Sequence, residues 1–109
     1  MKDLLRIVYD CMDKKQADDI VVIDFRNYSP FVDYFVIGSA RNQRMAKAIL
    51  EAVEEEVEKN GFEIYHKNLD GSKWQLLDIG DVVCHVFYDD ERSLYNLEGL
   101  WKDLPTIKM

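Results

Sequence analysis

The sequence has few cysteines and no long apolar run. Its two cysteines, Cys11 and Cys84, are far apart and lie in apolar stretches, which predicts two buried free thiols rather than a disulfide. No apolar segment approaches the roughly 20 residues that a membrane-spanning helix needs. The first residues mix acidic and apolar side chains, unlike a signal or transit peptide. The expectation is therefore a cytoplasmic protein with no membrane partner.

Basic residues are also in the minority. Lys and Arg number 14 against 21 Asp and Glu, which gives a net charge of -7. Nucleic-acid affinity comes largely from Lys and Arg that neutralise phosphates, so no direct nucleic-acid specificity is expected. A basic protein partner stays open. With 48% hydrophobic residues, the 109-residue chain predicts one globular domain over residues 1–109.

Catalytic and metal-binding motifs are missing as well. Cys84 and His85 cannot form a nucleophile pair, because neighbours in a strand point to opposite faces. The sequence contains no P-loop, no G-x-S-x-G and no H-E-x-x-H. Asp78 and Asp81 are typical of a turn, and with His85 they fix no metal geometry. The sequence therefore predicts a protein that is not an enzyme and has no metal and no cofactor.

One pair of residues favours an alternative. Gly38 and Ser39 end a predicted strand before a helix, the place where nucleotidyltransferases carry a Gly-Ser that holds phosphate. Those enzymes also need a nearby pair of acidic residues for Mg²⁺, and here Ala40 and Arg41 follow instead. A degenerate, nucleotide-binding protein of that type is the second hypothesis.

The apolar periodicity predicts an α/β fold. Helices are predicted over 3–15 and 42–60, and a last helix begins at Asp89 or Asp90, carries Leu94, Leu97 and Trp101 on one side, and ends before Pro105. Strands are predicted over 20–25, 34–39 and 62–67, a loop over 68–72, and a two-stranded hairpin over 73–87. The first two strands are joined by too short a link for a helical crossover, so they should pair antiparallel. The result is a single mixed five-stranded sheet flanked by helices, in the order α-β-β-α-β-β-β-α.

The hairpin is the most informative segment. Trp74, Leu76 and Asp78 share one face of its first strand, and the second strand alternates in the same way. Both faces are substantially apolar, so one can pack under helices while the other is either core or a protein-binding patch. A two-residue loop at Ile79-Gly80 would place Trp74 opposite His85, whereas a three-residue loop would shift that pairing.

Three segments carry a resemblance to a known family. They are IVVIDFRNYSPFVDYFVIGSA, WQLLDIGDVVCHVF and ERSLYNLEGLW, and together with the rest of the chain they resemble the ribosomal silencing factor family, also called the Iojap-like family. Cys84 departs from the pattern, since an aliphatic residue is more usual there. The chain also lacks the long N-terminal extension of organellar relatives, which favours a bacterial protein.

The resemblance implies a fold related to nucleotidyltransferases but without their catalytic aspartates. It implies a translational repressor that binds the large ribosomal subunit through the fourteenth large-subunit ribosomal protein and blocks joining with the small subunit when nutrients are short. A role in large-subunit assembly is attached to relatives and is a further alternative. A homodimer through the apolar hairpin face is left open.

The resemblance also implies partner-binding residues. Trp74 and Leu76 would be the apolar anchor, and Asp78 and Asp81 would meet Arg or Lys of the basic partner. His85 would be a polar contact at the patch. Tyr95 in the last helix is a weaker candidate. The structural alternatives remain for each: Trp74 as core, and the aspartates as residues that only shape the turn.

Overall fold

The computed structural model describes residues 3–70 and 72–109, so Gly71 of the predicted loop lies outside the described residues. The elements follow one another as α1 (Leu4–Lys14), β1 (Asp18–Asp24), β2 (Tyr34–Ser39), α2 (Gln43–Lys59), β3 (His66–Asn68), β4 (Trp74–Asp78), β5 (Val82–Phe87), α3 (Glu91–Tyr95), α4 (Leu97–Leu100) and β6 (Thr106–Ile107). The described part of the chain contains no helix long and apolar enough to cross a membrane.

The strands form one mixed sheet in the order β3-β4-β5-β2-β1-β6. The antiparallel pairing of β1 with β2 confirms the sequence-based prediction. The central pair, β2 and β5, is parallel, because α2 carries the chain back across the sheet to the edge strand β3, and two antiparallel steps, β3 to β4 and β4 to β5, then restore the direction of β2. The sheet is therefore open, and its two edges are the short strands β3 and β6.

The two long helices cover one face of this sheet. Asp3 caps α1 by accepting a hydrogen bond from Leu5 N, and Asn42 caps α2 by accepting one from Met45 N. The buried side of each helix packs on Val22, Val36, Leu77, Cys84 and Val86 to form the main core. Cys84 is fully buried, as predicted, and Cys11 is partly buried; both thiols are free.

The last part of the chain differs from the prediction. The expected single helix is two short helices, because Asn96 adopts the left-handed conformation (φ 51°) between them. The break changes the direction of the helix side chains, so Leu94 is 74% exposed while Leu97 and Trp101 pack on the sheet. The predicted five-stranded sheet has six strands, because residues after Pro105 pair with β1. The predicted strand over 62–67 is shorter and ends later, because β3 begins at His66 and includes Asn68, the first residue of the predicted loop.

The hairpin register also differs from the two-residue loop considered above. Trp74 pairs with Phe87, and Leu76 pairs with His85. The loop is Gly80-Asp81, one residue later, with Gly80 at positive φ (86°) in the first central position. That position of a type II′ turn favours glycine, whereas a type I′ turn at Ile79-Gly80 would have forced isoleucine into the same conformation.

Candidate docking face

The second face of the sheet is only partly covered. We call it the open face and define it as the side chains of β4, β5 and β2 that point away from α1 and α2: Trp74, Leu76, Asp78, Val83, His85, Phe87, Phe35 and Ile37. The short helices and the residues after them cover its β1 side, where Trp101 meets Phe25 with ring centroids 5.2 Å apart. On the β4 side, Tyr95 of α3 lies against Trp74, with 4.6 Å between ring centroids, while Leu76 and Asp78 remain partly accessible.

Trp74 lies at the centre of an aromatic group on this face. Its indole stacks on Phe87 at 5.4 Å and meets Tyr95 at 4.6 Å between ring centroids. The side chain is half-buried, and its Nε1–H donates a hydrogen bond to Nδ1 of His85 at 3.0 Å. The indole is therefore held in one orientation with part of its surface accessible, the state in which a tryptophan is most useful as a binding anchor.

Apolar side chains continue the accessible surface along the strands. Leu76, Val83 and Phe35 are half-buried, although each is large and apolar. Near the turn end of the hairpin, Phe31 is 85% exposed in the β1–β2 loop. That loop is fastened to the hairpin, because Asp33 N donates to Asp81 O at 2.7 Å. Sequence reasoning missed Phe31, Val83 and Phe35; the signal for Phe31 was a bulky apolar residue directly after a turn proline.

The two aspartates of the hairpin have different environments. Asp78 accepts a hydrogen bond from Gly80 N at 2.8 Å, so it shapes the turn, as the structural alternative proposed. Asp81 is exposed, and no side chain in the residues described hydrogen-bonds to its carboxylate. Asp33 of the adjacent loop is half-exposed. Negative charge is therefore concentrated at the turn end of the open face, and of the two hairpin aspartates Asp81 is the freer to meet a cation.

His85 is less accessible than the resemblance suggested. The residue is 4% exposed, and its ring lies 4.5 Å from Phe35 and 5.8 Å from Trp74 between centroids. Burial lowers the pKa of its imidazole from 6.5 to about 4, so the ring is neutral near neutral pH. His85 packs beneath the rings of Phe35 and Trp74, and in this conformation it is too buried to contact a partner directly.

Tyr95 is placed on the face by α3. It is 50% exposed and lies against both Trp74 and Phe87. A groove of about 480 Å³ runs beside the two rings and is lined by Asn68, Ser72, Lys73, Trp74, Glu91 and Tyr95. The structure thus brings Trp74, Leu76, His85 and Tyr95 together, with the two aspartates at one end.

The Gly38-Ser39 pair does not form an open phosphate site. A Cβ added at Gly38 would lie 2.8 Å from Met12 Cε, so the strand passes directly against the core. The Ser39 hydroxyl accepts a hydrogen bond from Nη1 of Arg92 at 2.8 Å. The same guanidinium also donates hydrogen bonds to Asp19 O and to the carboxylate of Glu98. Within residues 3–70 and 72–109, no group of three His, Cys, Asp or Glu side chains is arranged to hold a metal ion.

Comparison with known proteins identifies the family. The family model described as "Ribosomal silencing factor during starvation" matches residues 1–109. The chain belongs to this family. The ribosomal silencing factor RsfS of Bacillus subtilis is 39% identical over 95% of this chain and 89% of its own length. The protein of the same name from Halalkalibacterium halodurans is 36% identical, over 99% and 93%.

A solved structure has the same fold. A crystal structure of a protein from Bacillus halodurans superposes with a TM-score of 0.85, at 34% identity over 97% of both chains. The mixed sheet with two long helices on one face is thus a fold that this chain shares with that protein. The nucleotidyltransferase relation, in contrast, stays a prediction, and so do the roles of the individual residues of the open face.

Proposed function

We propose that the protein is a translational repressor that docks on the large ribosomal subunit with its open face and thereby blocks joining with the small subunit. The observation that carries the proposal is the accessible, ordered indole of Trp74, surrounded by half-buried apolar side chains, in a chain that belongs to a ribosomal silencing family. The mechanism is steric, so no bond is made or broken. It operates in the cytoplasm and lowers translation when nutrients are short.

The chemistry of the face favours a protein surface as the direct contact. An apolar centre with a charged rim is the usual anatomy of a protein interface. Asp81 and Asp33 supply negative charge at one end of the face, and the whole chain carries a net charge of -7. Ribosomal proteins are largely basic, so the attraction has the right sign. We assign the contact to the fourteenth large-subunit ribosomal protein, with Trp74 and Leu76 as anchor and Asp78 and Asp81 near its Arg or Lys side chains.

Co-sedimentation with purified ribosomal particles tests this proposal. The wild-type protein should pellet with isolated large subunits, but not with small subunits or joined ribosomes. Trp74→Ala should weaken binding by on the order of 2 kcal/mol or more, about thirtyfold, because it removes the central anchor. The variant should stay folded, since the main core lies on the other face of the sheet.

Glu55→Ala is the matched control, because Glu55 is exposed on α2, on the covered side of the sheet. It should bind as the wild type does. Equal binding of the wild type to joined ribosomes would contradict the steric mechanism. A Trp74→Ala protein that is folded and binds normally would remove the open face from the proposal.

Three alternatives make different predictions. A nucleotide-binding protein should gain thermal stability with Mg²⁺ and a nucleoside triphosphate. Against this alternative, Gly38 packs closely on Met12, and the Ser39 hydroxyl already accepts a hydrogen bond from Arg92. A large-subunit assembly factor should bind immature particles only, and cell fractions enriched in such particles would reveal it. A homodimer through the open face would compete with docking, so dimerisation and subunit binding should then be mutually exclusive.

A further inference from the structure

One nitrogen of His85 has no hydrogen-bond partner. Nδ1 accepts from the indole of Trp74 at 3.0 Å, so the proton of the neutral ring lies on Nε2. Nε2 is buried and finds no acceptor among the residues described. A buried donor without an acceptor destabilises the free protein, and such groups are rare in native structures. The presence of this unpaired buried donor in the folded protein therefore requires an explanation.

The ring stays a neutral donor at physiological pH. Desolvation alone lowers its pKa to about 4, and no carboxylate opposes this shift. The Trp74 bond then fixes which nitrogen carries the proton, because a ring with its proton on Nδ1 would lose the indole contact. His85 thus has a fixed tautomer, a fixed orientation and one unused N–H.

The unused N–H lies beneath the open face rather than in the main core. In the strand register His85 is next to Leu76 of β4 and Ile37 of β2. The rings of Trp74 and Phe35 flank it, and both are half-exposed. Of the two rings, only Trp74 is hydrogen-bonded to the imidazole, so Phe35 is the ring that can move without loss of the bond that fixes the tautomer.

We infer that His85 Nε2–H is a donor reserved for the docking partner, which shifts the ring of Phe35, leaves the hydrogen bond between Trp74 and His85 in place, and sets a carbonyl oxygen against Nε2. The inference rests on the proposed function and deepens it. The acceptor is a neutral main-chain or amide carbonyl rather than a carboxylate, because Asp78 and Asp81 already place negative charge on this hairpin. The free protein carries the unpaired donor, and the complex pairs it.

Three substitutions separate the two nitrogens. His85→Phe keeps a ring and removes both. His85→Asn retains an oxygen that can reach the Nδ1 position, so it can still hold the indole, but it has nothing at Nε2. His85→Gln places an amide NH₂ near Nε2. In the co-sedimentation assay with large subunits, the Phe and Asn variants should bind about tenfold more weakly or worse, and the Gln variant should bind better than the Asn variant.

Urea unfolding of the same variants supplies the structural control. His85→Phe removes the buried unpaired donor but also the acceptor of the half-buried Trp74 indole N–H, so it should unfold at a urea concentration close to that of the wild type at neutral pH. A folded His85→Phe protein that binds normally would overturn the inference. So would equal losses in the Asn and Gln variants, because then a ring, and not the donor, is what binding needs.

A direct measurement covers the case in which the Phe variant fails to fold. In ¹⁵N-labelled wild-type protein, the Nε2–H proton of His85 should move strongly downfield on addition of the isolated fourteenth large-subunit ribosomal protein, as a new hydrogen bond forms. An unchanged resonance in a formed complex overturns the inference and leaves the proposed function intact. If the wild-type protein binds no large subunits, the proposed function and the inference both fail.

Discussion

Acidification should destabilise the protein through His85. The unfolded chain takes up a proton at the ordinary imidazole pKa of 6.5, whereas burial delays protonation of the folded state until about pH 4. In this window the unfolded state binds more protons, so the free energy of unfolding falls as the pH falls. Above pH 6.5 neither state is protonated, and His85 contributes no slope. Each pKa unit corresponds to about 1.4 kcal/mol, so the full effect is about 3 kcal/mol.

Urea unfolding between about pH 8 and pH 4 measures this effect. Carboxylates add to the curve at its acid end, since the Arg26 hydrogen bonds lower the pKa of Asp24 and its stabilisation begins to be lost as the pH approaches the ordinary carboxyl value of 3.8. His85→Phe is therefore compared with the wild type at each pH, because the carboxylate contributions cancel in the difference. The difference should be flat above pH 6.5 and should grow towards pH 4 in favour of the variant. Parallel curves would refute the reasoning, because they would mean that the imidazole is as easily protonated in the folded state as in the unfolded state.

Two further substitutions test the supports of the open face. Gly38→Ala should lower the free energy of unfolding by about 1–3 kcal/mol in urea titrations, because its Cβ would lie 2.8 Å from Met12 Cε in a fully packed core; an unchanged midpoint would show that Met12 moves aside freely. Arg92→Met removes hydrogen bonds to Asp19 O, Ser39 Oγ and Glu98, so amide hydrogen exchange should accelerate in residues 91–104 while β2 and β5 stay protected. Equal protection of residues 91–104 in that variant would mean that aromatic packing alone holds them.

The sequence predicted the parts of the fold that depend on local patterns. Both long helices begin and end within a residue or two of the predicted bounds, because Asn42 and Asn60 are capping residues that flank a clear apolar stripe. β2 has the predicted bounds. The parallel insertion of β5 beside β2 has no local signal, since it depends on packing between distant segments.

The turn and the last helix show where local reasoning fails. Gly80 takes positive φ, so the loop moves one residue along and the cross-strand neighbours of Trp74 and His85 change. Asn96 breaks the last helix in a conformation that few residues other than glycine, asparagine and aspartate adopt, and the break exposes Leu94. The conformation of a single residue, Gly80 in the hairpin and Asn96 in the last helix, decides which side chains face outward.

The partner-binding role of the candidate residues stays a prediction. The family resemblance put forward Trp74 and Leu76 in the hairpin and Tyr95 in the last helix, and the structure brings all three to one accessible surface. The depth of His85 depends on Phe35 and Trp74, one of which comes from a strand far away in the sequence. No pattern in the hairpin alone contains that information, and the unpaired Nε2 is visible only once both rings are in place.

The position of β5 between β4 and β2 has a consequence for how the protein matures. β4 and β5 are neighbours in the chain, but β2 reaches β5 only after the segment that contains α2 and β3 has closed into a loop. Such distant pairings form slowly compared with hairpins. Until they form, Phe35 and Ile37 are absent from the surface around Trp74. A partly folded copy therefore has no docking face, so on the proposed function only fully folded copies compete for ribosomes, and silencing activity is itself a readout of completed folding.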